Sequence, residues 1–381
     1  MTEHKDWRGE LSNLYKMHVK EKGHYAILNY DEFSDFSNPL IQEARGIIID
    51  TETLEVVCWP FRKFGKYNES YADKIDWKTA RVQEKIDGSL VKLWYNTRQG
   101  AWQFSTNGMI AAGEAYVDED TRESYLDVIH EANNFTDIPF SILNKDLTYL
   151  FELVSPKIQV VIRYEKAHLY HIGTRNNQTG QELQEYIGVE RPKEYPLQTL
   201  EDCIRAAQAL NLSSDGKVHG VQKEGFVVVD SNWNRNKVKS MEYHMLHHIV
   251  ACTKSSKEYL VGLLREGMVD VDDLCQSFPS MAHYFKYYDY RVAELAYQAD
   301  VFADLTRRIY RESGNDRKTV AVRIQQHRLT PIGFLALKSE QRGREILARQ
   351  TIRAYCKYIP DYNPERFGSL FYGECVGDNR G

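Results

Sequence analysis

The chain has 381 residues, 42% hydrophobic and 27% charged, which is the balance of an ordinary soluble protein with room for two domains and a sizeable core. It opens on Met1-Thr2-Glu3-His4-Lys5-Asp6 without an apolar signal core, and no run approaches the ~20 apolar residues that span a bilayer, so the expected location is cytoplasmic and off the membrane. The formal net charge of −5 argues against a surface uniformly coated for polyanions, yet Leu305 to Lys357 carries thirteen Lys or Arg against four acids, a cationic lobe after an acidic body.

From about residue 25 to residue 240, short β-branched and aromatic runs alternate with turn formers, which predicts strands. Ile47-Ile48-Ile49 pairs naturally with Leu54 to Trp59 across a short turn, and Leu90 to Tyr95 with Ala101 to Ser105. Thr148 to Val154 and Ala167 to Ile172 are further strands, and Thr199 to Leu210 reads as a helix. After Tyr243 the apolar spacing changes to three and four, predicting helices over Tyr259–Glu266, Met281–Tyr310, Lys318–Gln326 and Leu335–Tyr358, with Gly314, Pro331 and Pro360 as breakers. The expected fold class is therefore α+β: antiparallel sheets with flanking helices over residues 1–245, then an all-α domain over 246–381, with no long linker between them. Cys58, Cys203, Cys252, Cys275, Cys356 and Cys375 are scattered with no C-x-x-C pair, a pattern of reduced thiols rather than of a zinc site or a disulfide scaffold. His244, His247 and His248 lie on a predicted helix and read as packing or surface groups.

The most informative stretch is Gln83-Glu84-Lys85-Ile86-Asp87-Gly88-Ser89-Leu90, a K-x-D-G tetrapeptide leading into an apolar strand. K-x-D-G occurs by chance in about one chain of this length in ten, so its neighbours decide. Upstream lie Ala44-Arg45-Gly46-Ile47 and Lys63-Phe64-Gly65-Lys66-Tyr67-Asn68-Glu69. Downstream lie Phe151-Glu152-Leu153-Val154, Lys223-Glu224-Gly225-Phe226 and Lys237-Val238-Lys239. A lysine attacks a nucleotide α-phosphorus only as the neutral amine, so from a free pKa of ~10.4 Lys85 needs neighbouring cations or desolvation, and these motifs offer them. Lys237 and Lys239, two apart on an extended segment, share a face and can grip phosphate oxygens together. Glu152, in an otherwise apolar strand, and Glu224, at the head of another, are hard oxygen donors of the kind Mg²⁺ takes with water in most of its shell. Arg45 and Lys63 are cations for a pyrophosphate leaving group or for charge growing at phosphorus.

In order and spacing these motifs resemble the covalent nucleotidyltransferase superfamily, and more narrowly the RNA ligase 1 family of phage-type ATP-dependent tRNA-repair ligases. Glu152-Leu153-Val154-Ser155-Pro156 resembles that family's third motif, and Asn315 to Thr319 and Tyr355 to Pro360 resemble stretches of its own C-terminal domain. The resemblance implies that Lys85 accepts AMP, that Arg45, Lys63, Lys237 and Lys239 contact phosphates, and that Glu84, Glu152 and Tyr243 lie around the nucleotide. It further implies a metal held by Glu224 and Glu152, with Asp272, in Val269-Asp270-Val271-Asp272-Asp273, touching it through water. The implied cofactors are ATP and Mg²⁺ or Mn²⁺. The implied partners are RNA with 3′-OH and 5′-phosphate ends, tRNA first among them, and a separate end-healing kinase and phosphatase; the chain itself is expected to be a monomer. One departure stands out: where the family often has a basic residue, this chain reads Phe104-Ser105-Thr106-Asn107-Gly108.

A DNA ligase or an mRNA-capping guanylyltransferase shares K-x-D-G but usually appends an OB-fold, which would read as regularly spaced short strands rather than as helix. A catalytically silent RNA-binding module predicts decay of the lysine and carboxylates, and every one is present.

Overall fold

In the computed structural model, residues 6–31, 34–118, 120–211, 222–250 and 256–363 are described. They form two compact units, one of Met1–Leu210 with Gln222–Tyr243 and the other containing the chain from His244 onward.

Three antiparallel sheets build the first unit. β1 (Met17–Lys22), β2 (Tyr25–Tyr30), β3 (Arg45–Asp50) and β4 (Val56–Cys58) form one sheet in chain order. Next in the chain come β5 (Arg81–Lys85), β6 (Ser89–Asn96), β7 (Ala101–Thr106) and a small hairpin of β8 (Tyr116–Asp118) with β9 (Glu123–Ser124). β10 (Leu147–Val154), β11 (His168–Asn176), β12 (Glu182–Leu183), β13 (Glu194–Tyr195), β14 (Gly225–Val229) and β15 (Arg235–Lys239) complete the unit. The second sheet has the order β12-β11-β10-β6-β7 and the third the order β13-β5-β14-β15. β5 and β6 thus part company at Ile86-Asp87-Gly88, and the K-x-D-G turn is where the chain crosses from one sheet to the other.

The period-2 alternation of each strand decides what it buries. Tyr149, Phe151 and Leu153 of β10 join Val91, Leu93, Val128 and Ile129 in a core capped by the helix Tyr125–His130. Val82, Phe226, Val228 and Val238 of the third sheet pack on Cys203 and Ala207 of the helix Leu200–Ala209. The opposite faces of both sheets carry the polar residues of the motifs. The four described cysteines, Cys58, Cys203, Cys275 and Cys356, are free.

The second unit is helical throughout its described length. Its axis is the 31-residue helix Ala282–Glu312, whose Phe285, Leu295, Ala299, Phe302, Ala303 and Ile309 are buried at helical spacing. The chain enters it through the helix Met241–Val250, and Ser256–Arg265, Val271–Ser277, Arg317–Ile324, Thr330–Ala336, Gly343–Ala348 and Ile352–Cys356 are its other α-helices. The expected helix Leu335–Tyr358 is three short pieces instead. Arg307 draws the backbone out of helix by donating to the carbonyls of Ala336, Ser339 and Gln341, and Gly343 passes so close to the long helix that a Cβ there would lie 1.9 Å from the Ala299 oxygen. Pro331, expected to break a helix, starts one, because its missing N–H costs nothing in a first turn. Among the described residues no helix is long and apolar enough to cross a membrane.

Candidate active site

A cavity of about 200 Å³ lies between the polar faces of the second and third sheets. Register in the third sheet lines up its floor: Lys85, Gly225 and Lys239 are cross-strand neighbours in one row, and Gln83, Val227 and Lys237 in the next. Side chains in register share a face, so Lys85, Lys237 and Lys239 all open into the cavity. Arg235, one further step along β15, lines it as well, which a same-face extension of the Lys237-x-Lys239 pattern could have found. Arg235 is held by a bidentate pair to Glu182 at 3.0 and 2.8 Å and stacks 4.1 Å over Phe61.

The facing sheet contributes Leu90, Glu152 and Ile172. Glu152 points there because its strand neighbours Phe151 and Leu153 take the core face. Gly88 lets this strand come close: a Cβ on it would sit 2.4 Å from the Leu153 oxygen. Gly225 plays the matching part beside Glu224, with φ +146° and a Cβ position 2.1 Å from the Val238 oxygen. The two glycines of the motifs are therefore close-approach residues that bring the carboxylates toward Lys85.

The stretch Lys63 to Glu69 lies along the free edge of β15. The Lys237 amide donates to the Gly65 oxygen at 3.0 Å and the Tyr67 amide to the Lys237 oxygen at 3.3 Å, and Lys66 bridges Lys237 in parallel. Arg45 and Lys63 line the cavity from this side. The Lys63 ammonium lies 4.0 Å from the Phe36 ring centre and 4.4 Å from that of Tyr30, and the Arg45 guanidinium 5.6 Å from that of Phe64.

Electrostatically the site differs from expectation at Lys85. Lys85 Nζ donates to Glu224 Oε2 at 2.8 Å, and Lys239 Nζ lies 2.7 Å from Glu224 Oε1. Burial works against the Lys85 charge, but the Glu224 and Glu152 carboxylates outweigh it and hold the ammonium above its ordinary value. The depressed amine is instead Lys237, pushed down to about 8 by burial and by Lys239, Lys85 and Arg45. Glu224, 2% exposed, is disfavoured by burial, yet its two lysine partners keep it below the usual carboxylate range. Glu152 has no such partner: burial, opposed by Lys85 but reinforced by Glu224, pushes it up to about 7.

Of the remaining expected residues, Glu84 lines the cavity but is already engaged, accepting from Tyr195 Oη at 3.0 Å and Lys223 Nζ at 3.2 Å. Tyr243 is 2% exposed and stands behind the nucleophile, donating its hydroxyl to Asp87 Oδ1 at 2.7 Å. Asp87 also accepts from the Val161 and Ile162 amides at 2.9 and 2.7 Å, so the aspartate of K-x-D-G is an internal brace. Asp272 belongs to the other unit, in the first turn of the helix Val271–Ser277, where its amide donates to the capping Asp270 at 2.8 Å.

A divalent ion has a fitting donor in Glu152, a cavity-wall carboxylate that burial pushes up to about 7 against the pull of Lys85 and Arg45. Both oxygens of Glu224 are taken by lysines, so its natural contact is through water. No group of three or more His, Cys, Asp or Glu able to hold a metal occurs among the described residues. This donor set suits an ion that keeps most of its water shell, as Mg²⁺ does.

The family model described as RNA ligase matches residues 43–287, a span that holds every cavity-lining residue named above except Tyr30. The chain is 29% identical over 308 residues to a protein of Autographa californica nuclear polyhedrosis virus named as a bifunctional polynucleotide kinase/RNA ligase, covering 73% of this chain and 41% of that one. It is 27% identical over 231 residues to a protein of Thermovibrio ammonificans named as an RNA ligase, covering 56% of this chain and 55% of the relative. The chain thus spans about half the length of these curated relatives. Among solved structures, an archaeal ATP-dependent RNA ligase aligns with a TM-score of 0.45 at 13% identity, over 77% of this chain and 79% of that one. With nearly two thirds of its length matched by the family model, the chain belongs to the RNA ligase family of the ATP-dependent nucleotidyltransferase superfamily.

Proposed function

We propose that this chain is an ATP-dependent RNA ligase that joins RNA 3′-OH and 5′-phosphate ends, and that it serves RNA repair, with broken tRNA as the expected substrate. The observation that carries the reading is the convergence on one cavity of Lys85, three further cations on the same sheet face and one unsatisfied carboxylate. Lys85 Nζ bonds to the α-phosphorus of ATP as the bond to pyrophosphate breaks; AMP then passes to the RNA 5′-phosphate, and the RNA 3′-hydroxyl displaces it. In-line displacement at phosphorus asks chiefly for positioning and charge neutralisation, and Lys237, Lys239, Arg45, Lys63 and Arg235 are placed for both. A divalent ion beside Glu152 supplies further neutralisation of the phosphates when bound. The proton that Lys85 must lose faces Glu224 Oε2.

The polynucleotide kinase in the name of the Autographa californica nuclear polyhedrosis virus relative supports an end-healing kinase as a partner. RNA affinity is assigned to the helical unit. There Arg308, Arg311, Arg317, Lys318, Arg323, Lys338, Arg349, Arg353 and Lys357 are exposed, and their side chains make no ion pair or hydrogen bond among the described residues. Incubation with ATP, Mg²⁺ and a broken tRNA stem-loop bearing 5′-phosphate and 3′-OH ends should give the sealed strand, and the same RNA with a 5′-hydroxyl should stay open. Sealing of nicked DNA in place of RNA would overturn the substrate assignment.

A further inference from the structure

Lys92 lies outside the motifs and is the most completely buried cation among the described residues, with 0% exposure in the middle of β6. Register sets it opposite Leu150 of β10 and Ser105 of β7, neither of which carries a charge. An ammonium has three protons to donate, and among the described residues this one has a single acceptor, the Gly46 carbonyl at 2.5 Å. No carboxylate neutralises it. The titratable groups that face it are Arg45 on β3, which repels it, and the Cys58 thiol on β4, which burial pushes up to about 11 and so keeps neutral. Burial first, and then Arg45, push the Lys92 amine down to about 8. An uncompensated buried charge is costly, and a Met or Leu would fill the same apolar space without that cost.

The acceptor indicates what the charge does. Gly46 follows Arg45, whose guanidinium lines the cavity. A Cβ at Gly46 would lie 2.9 Å from Lys92 Nζ, 2.7 Å from the Asn107 oxygen and 2.9 Å from Asn107 Oδ1. Lys92 and the Thr106-Asn107-Gly108 turn therefore close on the same peptide from two strands. We infer that Lys92 is a positioning residue of the nucleotide site, its buried ammonium clamping the Gly46 carbonyl so that Arg45 is held in line with the phosphates; this rests on the ligase reading. The clamp also puts a positive charge beside the turn where Asn107 itself brings none.

The test is single-turnover transfer of label from α-labelled ATP to the intact chain, in wild type, Lys92→Met, Arg45→Ala and the double variant, with melting temperature followed in each. Removing the buried charge leaves an apolar side chain of similar shape, so Lys92→Met should fold with an unchanged or raised melting temperature. Its rate constant at saturating ATP should fall about tenfold, as expected for loss of alignment rather than of binding. In the Arg45→Ala background the same change should cost less than about twofold, because neighbours acting through one another are not additive. Should Lys92→Met fail to fold, Lys92→Gln, which keeps a donor but no charge, is held to the same non-additivity. A folded Lys92 variant that labels at the wild-type rate, or whose loss multiplies with that of Arg45→Ala, overturns the assignment. Wild type that takes up no label overturns the ligase reading beneath it, an outcome distinct from either.

Discussion

At the scale of single residues, the site is organised around a lysine whose charge is stabilised, Lys85, the residue proposed to accept AMP. Glu224 and Glu152 stabilise the Lys85 ammonium, so the neutral amine arises only when something else claims those carboxylates. The depressed amines are Lys237 and Lys92, each pushed down to about 8. Lys85, Glu152, Glu224, Lys237 and Lys239 were legible in the sequence because each sits in a short motif with a strand period around it. The sign of the Lys85 shift was not, since it depends on a 2.8 Å contact between residues 139 positions apart. The bracing roles of Lys92 and Asp87 were not legible for the same reason: their partners are backbone groups far away in sequence, Gly46 for the first and Val161 and Ile162 for the second. Glu152 gives a prediction with a definite sign. Its folded pKa of about 7 lies above the free carboxylate value, so stability is fully present below about pH 4.5 and is lost as pH rises through 7. Glu152→Gln should be as stable as wild type near pH 4.5 and more stable at pH 8 by about 3 kcal/mol, read from urea denaturation at the two pH values. Equal stabilities at pH 8 would contradict it.

At the scale of elements, the cavity depends on neighbouring strands approaching at their glycines. A methyl group at Gly88 would meet the Leu153 oxygen at 2.4 Å, in backbone that cannot swing aside. Gly88→Ala should therefore cost about 1–3 kcal/mol in denaturant unfolding, the usual range for overpacking, and should reduce lysine adenylylation by moving β10 and Glu152 away from Lys85. Unfolding at the wild-type midpoint with full adenylylation would show that the strands tolerate the separation. The strands β3, β6, β7, β10 and β11 and the helix Leu200–Ala209 were readable from period and turn residues. The three-piece break after Leu335 was not, because the residue that drives it, Arg307, sits about thirty positions upstream on the long helix.

At the scale of the whole molecule, an acidic chain gathers positive charge in the cavity of the first unit and along the stretch Leu305 to Lys357 of the second. Nine exposed cations between Arg308 and Lys357, whose side chains make no ion pair or hydrogen bond among the described residues, give the charge pattern of the second unit a testable meaning. Replacing Arg308, Arg311 and Arg349 with Gln should weaken tRNA binding and lower the slope of log affinity against log salt by about 1 for each lost phosphate contact, while lysine adenylylation stays at the wild-type rate. An unchanged slope would move the RNA interface elsewhere. The central claim is that Lys85 is an AMP acceptor. It is tested most directly by incubating the protein with α-labelled ATP and Mg²⁺ or Mn²⁺, denaturing it, and following label on the chain in wild type and in Lys85→Ala. The account predicts acid-labile label on the wild-type chain, released by added pyrophosphate and absent from Lys85→Ala. Label that persists in Lys85→Ala, or a wild-type chain that takes up none, would contradict it.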